Sequence, residues 1–217
     1  IELSDYLTTK ILINGDLYLE NFKKKVAEKK LNVVGIGHTT SLDSLITDGT
    51  PTSRFEKLKA LAYNLEAKWI RLRIRHNQNG EIDELSFLQA IRKLARELNN
   101  SGISMFLVND PRGPLATPKQ IESLFLRLKE EKIENVKFAF DPAGFVETGK
   151  KPFLDVFYSS KLAKVVQNLV LTDSRFQDGS LTLLAKGNGE IKELISSLRC
   201  RSYNGYLTIG SLTDRDP

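Results

Sequence analysis

The chain has 217 residues, 41% of them hydrophobic, which suits one domain with a substantial core. No apolar run approaches the roughly 20 residues that cross a bilayer, no signal-peptide pattern opens the chain, and no membrane partner is expected. Its 32 basic and 27 acidic residues leave a net charge of +5 and a pI of about 9.2, a mild excess.

A lone cysteine, Cys200, excludes an intramolecular disulfide framework and fits a reducing, cytoplasmic setting. Abundant Lys and Glu beside a single Met point toward a thermophile. The chain opens on Ile1 rather than Met, so an N-terminal piece is expected to be missing. Lys23, Lys24, Lys25, Lys29 and Lys30 share one expected helix. No stacking aromatics interleave with them, so they read as a solvated face and nucleic acid is not an expected partner.

In chain order, Ile1–Ser4 reads as a truncated strand. A helix follows from about Leu17 to Lys29, with Leu19, Phe22 and Val26 on one face. Asn32–Gly37 is the next strand, ending at His38. Ser53 and Glu56 form a capping box opening a helix with the inner stripe Phe55, Leu58, Leu61, Ala62 and Leu65. Trp69–Arg75 is a strand, and the helix after it buries Leu85, Leu88, Ile91, Leu94 and Leu98. Gly102 sits where a C-terminal cap is wanted.

Ser104–Val108 is a strand. Thr117 and Pro118 then supply an N-cap and first-turn proline, with Gln120 completing the box, and Ile121, Leu124, Phe125 and Leu128 form the core stripe. Val136–Phe140 is a strand ending at Asp141, with a helix expected from about Phe153 to Val165. Asn168–Thr172 is a strand ending at Asp173. A helix over Ile191–Leu198 turns Ile191, Leu194, Ile195 and Leu198 inward, and Tyr206–Ile209 is the last strand.

Seven strands alternating with helices argue for a parallel α/β protein. An open doubly wound sheet could hold seven strands, but no Gly-rich nucleotide turn is present. The regular spacing favours a single (β/α)8 TIM-barrel domain over residues 1–217, N-terminally incomplete and lacking its first strand–helix unit.

Barrels of this kind build their sites at the C-terminal strand ends, which makes His38, Arg75, His76, Asn109, Asp110, Asp141 and Asp173 the polar residues to weigh. Each of these types also caps helices and satisfies loop backbone. Strand Trp69–Arg75 alternates strictly, with Ile70, Leu72 and Ile74 on one face and Arg71, Arg73 and Arg75 on the other. Turned into the barrel, the arginines require carboxylate partners, and Glu2 and Asp141 are placed to supply them. The result is an internal ion-pair ladder or, at Arg75 nearest the mouth, a hold on a phosphate or carboxylate.

The run Val136–Phe140 into Asp141-Pro142-Ala143-Gly144 resembles the strand-six signature of the xylose isomerase-like TIM barrels, which include sugar-phosphate isomerases and epimerases. Asn168-Leu169-Val170-Leu171-Thr172-Asp173 resembles their strand-seven motif. Gly187-Asn188-Gly189-Glu190-Ile191 resembles the Gly-x-Gly segment that follows, and Tyr203-Asn204-Gly205-Tyr206 the turn into strand eight. Leu107-Val108-Asn109 holds the place of the strand-five pair, and Ile1-Glu2-Leu3 that of strand two. The resemblance runs over nearly the whole chain.

It implies a divalent metal held by a Glu, an Asp, a His and a second Glu, with carboxylates moving protons between adjacent carbons of a sugar. Carried over, these ligands fall on Val108, Asp141, Val170 and Gly210, so only Asp141 remains. A shifted site of His38, Asp110, Asp141 and Asp173 is the alternative. The histidine-rich centre of the related endonuclease IV nucleases cannot be made from two histidines.

Two readings of the function follow. One is a divergent isomerase or epimerase of sugar phosphates, with Asp141 as general base and with Arg75, His38, Asn109, Asp173 and Lys186 binding a sugar or sugar-phosphate substrate. The other is a non-catalytic descendant that binds a ligand or partner through the same mouth; an oligomer is compatible with either.

Overall fold

The computed structural model describes residues 1–76 and 80–210. Its centre is a seven-stranded parallel sheet of β1 (Glu2–Leu3), β2 (Gly35–Ser41), β3 (Trp69–Arg75), β4 (Ser104–Val108), β5 (Val136–Phe140), β6 (Val166–Leu171) and β7 (Tyr206–Ile209), ordered as in the chain. The sheet curls until its two edge strands meet through side chains, where Thr208 Oγ1 on β7 donates to Glu2 Oε2 on β1 at 3.2 Å. This is a nearly closed barrel of seven strands, one short of the usual eight.

Helices cover most of its outer face, leaving Leu207 and Ile209 of β7 exposed: α1 (Asp5–Glu28), α2 (Ser53–Asn64), α3 (Glu84–Asn99), α4 (Pro118–Glu130), the one-turn α5 (Pro142–Val146) and α6 (Ile191–Cys200). The alternation of β3 sets which side chains face where. Ile70, Leu72 and Ile74 join the main hydrophobic core beneath the helices, while Arg71 and Arg73 turn inward. Within the barrel, Trp69, Phe106, Val108, Ala139 and Val170 form a second, smaller apolar cluster. The rings of Trp69 and Tyr206 lie 4.3 Å apart, and Phe106 meets Trp69 edge-on at 5.5 Å. One end of the barrel is therefore plugged by aromatics, which leaves the polar residues to the other.

Several sequence expectations need correcting. Helix α1 begins twelve residues before Leu17, at Asp5, because Ser4 Oγ accepts from Leu7 N–H and caps it. Gly15, at φ 71° and ψ −160°, kinks it midway and interrupts the pattern. Strand β2 runs on to Ser41, so His38 is internal to the strand rather than at its end. Thr52, not Ser53, caps α2.

Leu85 is 59% exposed and Phe87 takes the buried place expected of it; Ile195 on α6 is likewise 39% exposed. The single helix expected over 153–165 is instead a π-helical turn, Pro152–Tyr158, and a 3₁₀ turn, Leu162–Lys164. Between them the Ser160 hydroxyl accepts from Leu162 N–H and ends the first segment.

The loop after β4 folds back onto β3, with His76 N–H donating to Arg112 O at 2.8 Å. Gly113 makes that approach possible, since a Cβ there would stand 2.0 Å from the Ile74 carbonyl oxygen. Gly113→Ala is expected to push the loop off β3 and cost about 2 kcal/mol, as overpacking at a tight contact does. The urea unfolding midpoint measures this, and an unchanged midpoint would show that the contact gives way freely.

Candidate functional site at the barrel mouth

The polar end of the barrel is organised by arginines from β3. Arg71 is paired with Glu2 from β1 inside the barrel. One step nearer the mouth, Arg73 donates from Nη2 to Asp141 Oδ2 at 2.5 Å and from Nη1 to the Asn109 carbonyl at 3.1 Å. Its Nη1 also lies 3.4 Å from Asp110 Oδ2. Next along the strand, Arg75 Nε donates to the same Asp110 oxygen at 3.1 Å. Asp110 Oδ1 accepts from Arg112 N–H at 2.8 Å and lies 3.4 Å from Arg112 Nε. Three guanidinium groups thus face two carboxylates, an excess of one positive charge.

Burial opposes charge on Arg73, yet Asp141 and Asp110 more than offset it and hold the guanidinium above its ordinary pKa. Burial pushes the Asp110 carboxyl up, but Arg73, the Arg112 amide and Arg75 outweigh it and keep the carboxyl below its usual value. For Arg75, burial dominates and lowers the pKa despite Asp110. The Arg75 side chain is 27% exposed and that of Arg112 49%. These two guanidinium groups are the ones a ligand in solvent can reach.

Asp141 is fully buried. Besides Arg73, it accepts from the Thr172 hydroxyl and from Ala143 N–H at 3.1 Å, which caps α5. Asn109 latches the ends of β4 and β5 together, donating from Nδ2 to Asp141 O at 2.9 Å and accepting from Asp141 N–H at 2.8 Å. His38, across from Leu72 in the register, faces the helices. Its Nδ1 lies 3.0 Å from Asp5 Oδ1 and its Nε2 accepts from Arg54 Nε at 3.3 Å. His76 Nδ1 accepts from Ile82 N–H.

Asp173 binds the Gly-x-Gly segment by accepting from Ser174, Gly187 and Gly189 N–H groups. Lys186 is exposed beside that segment. The structure therefore gathers Arg75, Asn109 and Asp141 into one network, places His38 outside that network but on the wall of a small cavity it shares with Arg73, and leaves Asp173 and Lys186 in separate settings. Arg112 and Thr172 were not among the candidates. Asp110-Pro111-Arg112-Gly113 is a turn signature in which the Asp accepts from the amide two residues on, and that signal points to Arg112.

The four positions that would hold a metal do not fit one. Val108 and Val170 pack in the apolar interior cluster. At Gly210 even a Cβ would stand 2.4 Å from Thr172 Cγ2. Asp141 faces a guanidinium. Among the described residues, no group of three or more His, Cys, Asp or Glu is arranged to hold a metal ion. The alternative of His38, Asp110, Asp141 and Asp173 is not assembled either. The cavity lined by Asp5, His38, Thr39, Arg71, Arg73 and Thr172 measures about 30 Å³, room for a water or two and too little for a sugar ring.

A pH dependence follows from Asp110. Its folded-state pKa lies below the unfolded value of about 3.9, so its contribution is complete above that value and is lost as pH falls through the folded one. Asp110→Asn is expected to lower stability at pH 7 and to flatten the loss below about pH 4. Urea midpoints measured against pH test this; parallel wild-type and variant curves would contradict it.

No protein-family model matches the chain, and no curated protein does. Solved structures do. A probable 3-DHS dehydratase, AsbF, involved in petrobactin synthesis in Bacillus anthracis, superposes with a TM-score of 0.69 at 16% identity, over 98% of this chain and 82% of that one. A xylose isomerase domain containing protein of Salmonella typhimurium gives 0.69 at 16% identity, over 88% and 71%. The D-allulose 3-epimerase of a Methylomonas species, solved with D-allulose, gives 0.64 at 16% identity, over 87% and 67%. None of the described helices is long and apolar enough to cross a membrane. The chain has the fold of the xylose isomerase-like TIM barrels.

Proposed function

We propose that this chain is a metal-independent barrel that binds a small anionic, sugar-like ligand at its C-terminal mouth without converting it. The observation that carries the reading is the convergence of Arg73, Arg75 and Arg112 on Asp110. One carboxylate cannot saturate three guanidinium groups, so the donors of Arg75 and Arg112 that face solvent suit a phosphate or carboxylate. The sugar-like character is supported by the D-allulose 3-epimerase and L-ribulose 3-epimerase among the similar structures.

Asp141 is a poor general base here. A base must reach the proton it abstracts, and this carboxylate is enclosed by Arg73, Thr172 and the start of α5. Asn109, Asp173 and His38 serve in this reading as supports for the strand ends and loops. The single exposed thiol, Cys200, suits a reducing compartment, which the reading takes to be the cytoplasm.

Titration calorimetry with ribose 5-phosphate, inorganic phosphate and free ribose tests the proposal. Both phosphates are expected to bind and ribose to bind at least about tenfold more weakly, the worth of one charge-assisted hydrogen bond. Arg75→Ala and Arg112→Ala should each weaken phosphate binding by about tenfold or more. Equal affinity for ribose and ribose 5-phosphate would overturn the anion reading, and turnover of a ketose phosphate that depends on Asp141 would overturn the non-catalytic one.

A further inference from the structure

The metal implied by the resemblance does not fit, and the reason is itself informative: a cation from the chain already occupies the place where strand-end oxygens converge. We propose that the Arg73 guanidinium, assisted by Arg75, is a built-in replacement for a divalent cation, clamping the ends of β3, β4 and β5 and keeping the mouth closed without metal.

Three observations support it. Arg73 is surrounded by the oxygens of Asp141, Asn109 and Asp110 at 2.5, 3.1 and 3.4 Å, and its partners come from the ends of two neighbouring strands. These oxygens, with the Thr172 hydroxyl on Asp141, are hard donors of the kind that Mg²⁺, Ca²⁺ or Mn²⁺ selects. Arg73 and Arg75 together carry the charge of one dication to Asp110 and Asp141, with Arg112 adding a third, more exposed guanidinium on the other oxygen of Asp110.

Burial makes the arrangement obligatory. Arg73 is 8% exposed, Asp110 1% and Asp141 not at all. Two such carboxylates cannot remain ionised together without a cation between them, and a guanidinium cannot lose its proton to escape. Removing the arginine therefore takes away the guanidinium that faces buried Asp141 and leaves an oxygen-lined space there, while Arg75 and Arg112 stay on Asp110. This inference does not rest on the anion reading, because the Arg73 donors point at buried oxygens while the proposed anion meets Arg75 and Arg112.

The test is thermal unfolding of the full chain in EDTA and in millimolar MnCl₂, with Mn²⁺ uptake followed by electron paramagnetic resonance. Wild type should melt at the same temperature in both and take up no ion. Arg73→Ala should melt about 10 °C lower in EDTA, the effect of breaking a buried pair in a chain of this size, and should recover part of the loss while binding Mn²⁺. The double variant Arg73→Ala with Asp141→Asn should be more stable in EDTA than Arg73→Ala and indifferent to Mn²⁺.

If Arg73→Ala does not fold in EDTA, refolding in MnCl₂ gives the same readout, and recovery there alone supports the proposal. Stoichiometric Mn²⁺ uptake by wild type would overturn it. So would a double variant whose loss equals the sum of the two single losses, or an Arg73→Ala protein that neither binds nor responds to Mn²⁺.

Discussion

A charged arginine inside a barrel sets terms for everything around it. Unpaired, the Arg73 guanidinium would cost several kcal/mol to bury, so the next two strands of the sheet must deliver oxygens to it. β5 ends on Asp141 and β4 runs on into Asn109 and Asp110, and Arg73 meets the two carboxylates and the Asn109 backbone carbonyl. The condition fixes register as well. A slip of one residue in β3 would send the arginines into the hydrocarbon beneath the helices and Ile70, Leu72 and Ile74 into the polar mouth.

A second pair repeats the logic deeper in the barrel. Arg71 meets Glu2, and Glu2 also accepts from Thr208 on the opposite edge. This interaction brings the edge strands of a seven-stranded sheet together across the interior, where among the described residues no strand pairing joins them. Gly37 lies beside the pair, and a Cβ there would come within 3.1 Å of both Arg71 Nη2 and the Leu3 carbonyl. The barrel's curvature and its internal charges are thus parts of one arrangement. Below it, the buried rings of Trp69 and Phe106, with Tyr206 packed against them, lower the dielectric in which the pairs act.

Legibility in the sequence follows from which interactions are local. Trp69–Arg75, Ser104–Val108, Val136–Phe140 and Tyr206–Ile209 are read with their correct bounds, because each is an apolar or alternating run between helices with clear caps. The cap at Thr117 and Pro118 is equally local. The first half of α1 is not legible, since Gly15 breaks the period there. The 153–165 segment is not either, because its first turn is held from outside: Glu190, far along the chain, accepts from Phe153 and Leu154 N–H groups. At the mouth, Asp141 is legible as a strand-end carboxylate. What it does depends on which side chain crosses from β3, and that is a three-dimensional fact.

The same distinction explains why the fold is plain and the chemistry is not. A donor for a metal is a single side chain, and exchanging it for an apolar one changes the site while leaving the strand in place. Here the residues at the four strand-end positions pack consistently with one another. Val108 and Val170 fill the space beside Phe106 and Ala139, and Gly210 leaves room for the Thr172 methyl, whose hydroxyl is then bound to Asp141. Placing a glutamate at 108 or a histidine at 170 would bury a polar group in an apolar cluster, and any side chain at 210 would displace Thr172. Each such substitution alone is expected to be destabilising, and Arg73 would still repel an incoming cation. The packing of the mouth holds the charge arrangement in place as firmly as the charges hold the strands.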